Sequence, residues 1–272
     1  MLECETSNQM TYTQALVLGV VQGVTEFLPV SSSGHLILVP HVFGWPDQGL
    51  AFDAAMHLGT LAALLAYFRG ELTELLTGVL ARRVAVLLLA ASLPALAVGW
   101  LANTWIEAHL RSPLVIAVAT AFWALVMWWA DRRAVEARDG RDDPLARVGW
   151  TQGLAVGCAQ TLALIPGTSR SGITITAGLF ARLDRATAAR FSFMLGIPVT
   201  GAAGAYKMLH LVRSGLPDGD GGPLAAAVVA AFVSGWLAVW FLVNYLKRRS
   251  LLPFVLYRLV LAAAIFIVIL RA

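Results

Sequence analysis

Gln22, Glu26 and the run Ser31-Ser32-Ser33-Gly34-His35 are the first residues of this chain equipped for chemistry, and no Lys or Arg precedes Arg69. Gln22 and Glu26, four residues apart, share one helix face. Glu26 falls at the C-terminal end of its helical run, three residues before Pro29. An ionised carboxylate there meets the negative end of the helix dipole and is costly in apolar surroundings. A bound cation relieves that cost, and so does a neighbour that exchanges a proton with Glu26. A protonated, hydrogen-bonded structural Glu is the inert alternative. The serines precede the next helical run and are good N-caps. All three need not be caps, and the free N–H groups of a helix start suit a phosphate. His35, directly after Gly34, is placed to act as acid or base for whatever that site holds.

A second cluster, PGTSRSG at 166–172, contains Arg170 among apolar and hydroxyl residues. With no acid nearby in sequence, this arginine needs an anionic partner from the protein or from a ligand. Its planar fork of donors matches phosphate oxygens, and Ser169, Ser171 and Thr174 add hydroxyl donors. An Arg170–Glu26 pair holding the two clusters together is the structural alternative, and it is compatible with function. Brought together, the clusters supply a carboxylate, hydroxyls, an imidazole, two helix N-termini and a guanidinium. That equipment suits phosphoryl transfer, which needs charge neutralisation and positioning more than covalent machinery. Glu26, Ser32, His35 and Arg170 are the catalytic candidates; Ser31, Ser33, Ser169, Arg170, Ser171 and Thr174 are the substrate-binding ones. Asp53 and His57, at i and i+4, are read as supporting or interfacial residues. No Walker loop, GxGxxG, CxxC or HExxH motif competes.

Both clusters end copies of one repeat. Residues 13–34 read TQALVLGVVQGVTEFLPVSSSG and residues 151–172 read TQGLAVGCAQTLALIPGTSRSG. Thr13, Gln14, Leu16, Gly19 and Gln22 recur as Thr151, Gln152, Leu154, Gly157 and Gln160; Ser31, Ser33 and Gly34 recur as Ser169, Ser171 and Gly172. Each copy is an apolar helical run that breaks at proline. Repeated, interrupted hydrophobic segments point to a paired site at the bilayer midplane.

The 272 residues are 58% hydrophobic and 13% charged, with a mean hydropathy of +0.73. A soluble domain could not cover so much apolar surface, so lipid must act as part of the solvent. The formal charge of +4 sits in short loops, where it sets orientation and does not suggest nucleic acid. Cys4 and Cys158 make no disulfide framework. The first ten residues carry Glu3 and Glu5 but no basic residue, so a cleavable signal is not expected.

Runs long enough to span, roughly 17–25 residues each, lie at about 52–68, 84–102, 113–130, 190–207, 224–244 and 253–270. Two further regions, 14–42 and 150–181, are broken near the middle into pieces too short to cross. Basic residues collect in 69–83, 131–149, 182–190 and 247–249, which the positive-inside rule assigns to the cytoplasm. Parity then makes 14–42 and 150–181 re-entrant hairpins from opposite faces. The expected fold is an all-α polytopic membrane protein: an inverted-topology repeat with six transmembrane helices and two re-entrant hairpins. Residues 1–130 form the first half, 131–149 a cytoplasmic linker and 150–272 the second half. Loops 103–112 and 208–223 fall outside.

QGVTEFLPVSSSGHLIL and LALIPGTSRSG resemble the two signature motifs of the bacterial undecaprenyl-diphosphate phosphatases (the BacA/UppP family), and PFVLYR at 253–258 resembles a third family feature. The resemblance covers nearly the whole chain. It implies removal of the terminal phosphate from a C55 polyprenyl diphosphate, a divalent cation such as Mg²⁺ or Ca²⁺, and an inner-membrane site opening toward the periplasm. Position by position, Glu26 matches the second acid of the first motif, Ser32 and His35 its hydroxyl and imidazole, and Ser169, Arg170 and Thr174 the second motif. Gln22 stands where many members have a first Glu, so the implied metal ligands are Glu26 and Gln22, with one negative charge fewer. The implied partners are the lipid substrate and membrane lipids. Oligomeric state, including a homodimer, is left open. A lipid-phosphate transporter or translocase is the rival reading, because broken helices at the midplane describe transporters too; the Ser–His–Glu set, which pure binding does not need, discriminates against it.

Overall fold

The computed structural model describes residues 10–45, 49–77, 79–110, 112–135, 144–214 and 221–271. Among them are eleven α-helices and no strand: α1 (Tyr12–Phe27), α2 (Ser32–Phe43), α3 (Gly49–Tyr67), α4 (Arg69–Thr77), α5 (Val79–His109), α6 (Pro113–Arg132), α7 (Trp150–Gln160), α8 (Arg170–Phe180), α9 (Arg185–Ser214), α10 (Gly221–Leu246) and α11 (Leu252–Arg271). Short 3-10 turns cover Pro144–Arg147 and Thr161–Leu164.

The two repeat copies begin alike because each places a glutamine at the third helical position. At α1, Gln14 Oε1 accepts the Thr11 N–H at 2.9 Å and the Thr11 hydroxyl accepts the Gln14 N–H at 3.3 Å. At α7, Gln152 Oε1 accepts the Gly149 N–H at 2.9 Å. Gln152 Nε2 also donates to Ala181 O at 2.7 Å, beyond the end of α8, so the legs of the second broken segment finish side by side. In the first, Met10 and Trp45 meet in one apolar cluster with Leu18, Leu36 and Met56.

Four helices contain stretches long and apolar enough to cross a membrane: Arg82–Ala102, Pro113–Arg132, Gly221–Leu246 and Leu252–Leu270. They coincide with four of the six expected spans. The other two fall in α3, whose apolar stretch Phe52–Tyr67 is shorter, and in α9, where polar and small residues such as Ser192, Gly196 and Thr200 interrupt the apolar run. Those two helices face the site. Leu93, Trp100, Leu101 and Val260 are largely exposed, as lipid-facing side chains are. At the end of α6, Arg132 and Arg133 lie 5.4 and 4.6 Å over the rings of Trp128 and Trp129, an interfacial arrangement.

Two expected loops are partly helical. With no proline between Pro94 and Pro113, α5 continues through 103–109, and α9 continues to Ser214. The basic stretch 69–83 folds largely as α4 and the start of α5. Glu3, Cys4, Glu5, the middle of the expected linker (136–143) and residues 215–220 lie outside the described residues.

The halves interleave. α1 and α3 pack on α10, α3 on α9, α5 on α7, and α6 on α11. A Cβ on Gly19 would overlap Ala227 O, and one on Gly23 would overlap Ser234 Oγ, so α1 and α10 meet at backbone distance through small residues. Phe27 at the end of α1 packs edge-on against Phe193 of α9, ring centres 5.7 Å apart, and locks the first break onto the second half.

Candidate active site

α1 stops because Pro29 cannot continue the i→i−4 ladder. Residues 28–30 turn, and α2 starts after Ser31 with φ 75° and ψ 97°. The second break repeats this backbone: α8 starts after Ser169, with φ 70° and ψ 115°. Both serines occupy a left-handed region that non-glycine residues avoid. Their neighbours hold them there. The Ser31 and Ser33 hydroxyls are 3.2 Å apart, and the Ser169 and Ser171 hydroxyls 3.3 Å. Ser169 Oγ caps α8 by accepting the Gly172 N–H at 3.2 Å, whereas Ser31 makes no side-chain cap on α2.

The breaks touch directly. The Gly167 N–H donates to Ser33 Oγ at 3.3 Å, and the Ser171 hydroxyl donates to Leu28 O at 3.2 Å. Arg258 of α11 completes the junction. Fully buried, it donates to Thr168 O (2.9 Å), Gly167 O (3.0 Å), Thr120 O (3.3 Å) and Pro29 O (3.4 Å), thereby joining carbonyls of both breaks. Sequence reasoning quoted Arg258 only within PFVLYR; a lone arginine in an apolar run was the available signal, as it was for Arg170.

Glu26 is the centre of the site. Its Oε1 accepts from Arg170 Nη2 at 3.0 Å; its Oε2 accepts from the Ser32 hydroxyl at 3.0 Å and Gln22 Nε2 at 3.3 Å. The Arg170–Glu26 pair that the sequence left as an alternative is therefore formed, across the two breaks. His57 Nε2 lies 3.9 Å from Glu26 Oε2, with Nδ1 held by Asp53 O at 2.6 Å. His57, read from sequence as supporting or interfacial, thus reaches the carboxylate itself. Arg170 Nη1 is buried without a hydrogen-bond partner, and its guanidinium lies against the Cα of Gly196.

Two expected placements differ. His35, expected to serve as acid or base at the first break, bonds neither to Ser32 nor to Glu26. Its Nδ1 faces Ser31 O at 2.7 Å and its Nε2 faces the Tyr257 hydroxyl at 2.6 Å, the rings nearly parallel. The helical turn from Ser32 to His35 carries the imidazole toward α11 while Ser32 turns to Glu26. Thr174 does not face the break: its hydroxyl donates to Arg170 O at 2.7 Å and meets the Ser192 hydroxyl at 2.5 Å, anchoring α8 to α9.

Gln22 Oε1 is buried with no donor, one helical turn before Glu26. A carboxamide oxygen and a carboxylate one helical turn apart could supply two oxygen ligands to a hard divalent cation, although here Gln22 presents Nε2, not Oε1, to Glu26. No group of three His, Cys, Asp or Glu side chains able to hold a metal occurs among the described residues.

Fold and site together define a multi-pass membrane protein with a buried carboxylate–guanidinium–hydroxyl centre at two helix breaks. Residues 15–264 match the family described as bacitracin resistance protein BacA, and the chain belongs to that family. It is 44% identical over 273 residues to the undecaprenyl-diphosphatase of Pelobacter propionicus, covering 96% of this chain and 98% of that protein. Undecaprenyl-diphosphatase 2 of Stutzerimonas stutzeri is 47% identical over 271 residues, covering 95% and 98%. The undecaprenyl-diphosphatase of Teredinibacter turnerae is 43% identical over 270 residues, covering 96% and 100%.

Proposed function

We propose that this chain removes the terminal phosphate of undecaprenyl diphosphate, giving undecaprenyl phosphate and inorganic phosphate and so returning the lipid carrier to cell-wall synthesis. Arg170 carries the reading. One of its nitrogens holds Glu26, while Nη1 is buried and unpartnered, an arrangement that calls for an anionic oxygen. Ser32, on the other oxygen of the same carboxylate, is the nucleophile. Its oxygen attacks the terminal phosphorus, its proton passes to Glu26 Oε2, and the bridging P–O bond breaks to release undecaprenyl phosphate. Water then hydrolyses the phosphoserine; His35 takes the water proton and Glu26 returns its own to Ser32. A translocase that merely bound the headgroup would have no need of a hydroxyl bonded to that carboxylate.

A divalent cation, Mg²⁺ or Ca²⁺, would be held by Glu26 and Gln22 and would neutralise diphosphate charge when bound. Ser31, Ser33, Ser169 and Ser171 shape the two breaks around the phosphate, and Thr174 supports them from behind. The reading makes residues 1–130 and 150–272 inverted-topology halves, each with three spans and a re-entrant hairpin, joined by 131–149. It sets them in the bacterial inner membrane with the site open toward the periplasm. The clustering of basic residues in alternate loops supports this orientation, as the matched backbone at Ser31 and Ser169 supports the pairing of hairpins. Every residue of the site comes from one chain, so a homodimer is not required.

Phosphate release from farnesyl or undecaprenyl diphosphate by purified protein tests the proposal. Release is expected, abolished by EDTA and restored by Mg²⁺; folded protein that releases none would sink it. Terminally labelled diphosphate should label the wild type but not Ser32→Ala, and the absence of label at every time point would reject the serine.

A further inference from the structure

His35 sits in an enclosure that decides how it exchanges a proton. Its Nδ1 lies 2.7 Å from Ser31 O, and a carbonyl only accepts, so Nδ1 carries the hydrogen. In the neutral ring Nε2 is then a lone pair, and the Tyr257 hydroxyl, 2.6 Å away, donates to it. The imidazole is 7% exposed, while Tyr257, on the far side of that bond, is 47% exposed. Nothing else bonds to His35 among the described residues, and neither ring nitrogen points at Ser32 or Glu26.

We propose that Tyr257 is the group through which His35 gains and loses its proton. The inference rests on the assignment of His35 to proton transfer made above. His35 can accept a proton only at Nε2, because Nδ1 is already protonated and tied to the Ser31 carbonyl. Nε2 faces only the Tyr257 oxygen. As water attacks the phosphoserine, it gives a proton to Tyr257 Oη while the phenolic hydrogen moves to His35 Nε2. Tyr257 ends as a phenol, His35 as an imidazolium, and the hydroxide equivalent is in the new bond to phosphorus. The reverse transfer resets the pair as phosphate departs.

Position supports the assignment. Tyr257 and Arg258 are consecutive on α11; one holds the histidine of the first break and the other the carbonyls of both breaks. The phenol is therefore fixed relative to the site by its neighbour, and its ring lies within 5° of parallel to the imidazole. Residues 35 and 257 are 222 apart in sequence, so only the fold pairs them.

Tyr257→Phe removes the hydroxyl and keeps the ring. In this variant kcat for phosphate release from farnesyl diphosphate should fall about tenfold or more with little change in KM, and labelled phosphoserine should accumulate. The double variant Tyr257→Phe/His35→Gln should be no slower than His35→Gln alone, since the phenol acts through the imidazole. ¹⁵N-histidine NMR should find the Nδ1–H tautomer with a hydrogen-bonded Nε2 at residue 35, and Tyr257→Phe should abolish that Nε2 signature. Wild-type kcat in folded Tyr257→Phe, or losses that add in the double variant, would overturn the proposal while leaving His35 in place. Wild-type turnover by His35→Gln would instead overturn the assignment of His35, and the role of Tyr257 with it.

Discussion

A single methyl group at residue 196 probes the centre of the site without removing any polar atom of it. Gly196 lies in α9 directly behind the Arg170 guanidinium. A Cβ there would overlap Nη1 and lie 2.8 Å from Cζ and 3.3 Å from Nη2. Carbon contacts relax to about 3.5–4.0 Å, so the guanidinium must retreat by roughly 1 Å. It has little freedom to do so, because Nη2 is held at 3.0 Å by Glu26 and the side chain is 12% exposed. A 1 Å lengthening takes that bond beyond hydrogen-bond range and shifts the donor meant for the phosphate. Misplacement of that size costs about 10²-fold in rate, or about 2.7 kcal/mol. Gly196→Ala should therefore lower kcat/KM for phosphate release by about two orders of magnitude. Gly201→Ala, on the same helix, is the control. Its Cβ would meet only Leu61 Cδ2, at an ordinary 3.7 Å, so turnover should persist. Alanine raises intrinsic helix propensity at both positions, by up to about 1 kcal/mol, while the overlap at 196 opposes that gain; the thermal midpoint of each variant separates loss of activity from loss of fold. Folded Gly196→Ala with wild-type turnover would refute the placement of Arg170.

Other expectations follow from the same contacts. Arg170→Lys should be poorly tolerated, since a point charge cannot hold Glu26 and a phosphate oxygen in one plane; Arg170→Ala should cost about 2–4 kcal/mol of transition-state stabilisation in kcat/KM. Thr174→Val should lower the thermal midpoint in detergent yet leave KM unchanged, because the Thr174 hydroxyl is spent on Arg170 O and Ser192. Asp131→Ala should destabilise the junction of α6 with the starts of α9 and α11 without altering the site. The carboxylate accepts from Arg185 Nε at 2.6 Å and from the Leu251 N–H at 3.1 Å. Arg185 is 28% exposed, so the loss should lie near the lower end for a buried pair, about 3 kcal/mol, readable as a lowered unfolding temperature.

Several features were legible before any coordinates. Proline followed by a Ser/Gly cluster breaks the helix at Pro29 and Pro166, whereas Pro40, Pro94 and Pro198, which lack such a cluster, lie inside helices, and a charge in apolar surroundings is costly whatever the fold. The two breaks, Glu26 and Arg170 could therefore be picked out from residue types and spacing. The repeat added that the breaks belong together, because recurrence at one interval survives any folding. Local periodicity also placed Gln22 one turn from Glu26, where their hydrogen bond now runs. Span limits were less secure, since a helix stops where capping and proline stop it; α5 runs past its expected end for want of either.

What the fold alone decided are the contacts between distant segments. Which way Ser32 and His35 turn depends on what packs against α2: Glu26 accepts from the one, and Tyr257 meets the other. His57 reaches the carboxylate because α3 and α1 share α10 as a floor. Thr174 turns away because α9 offers Ser192. Arg258 finds its four carbonyls because the two helix breaks expose three of them beside α11 and α6 supplies the fourth, Thr120 O. Residue type and spacing determine which groups cannot remain unpaired in a membrane; only three-dimensional packing determines which partner satisfies each one, because a hydrogen bond is sensitive to tenths of an ångström and indifferent to separation along the chain.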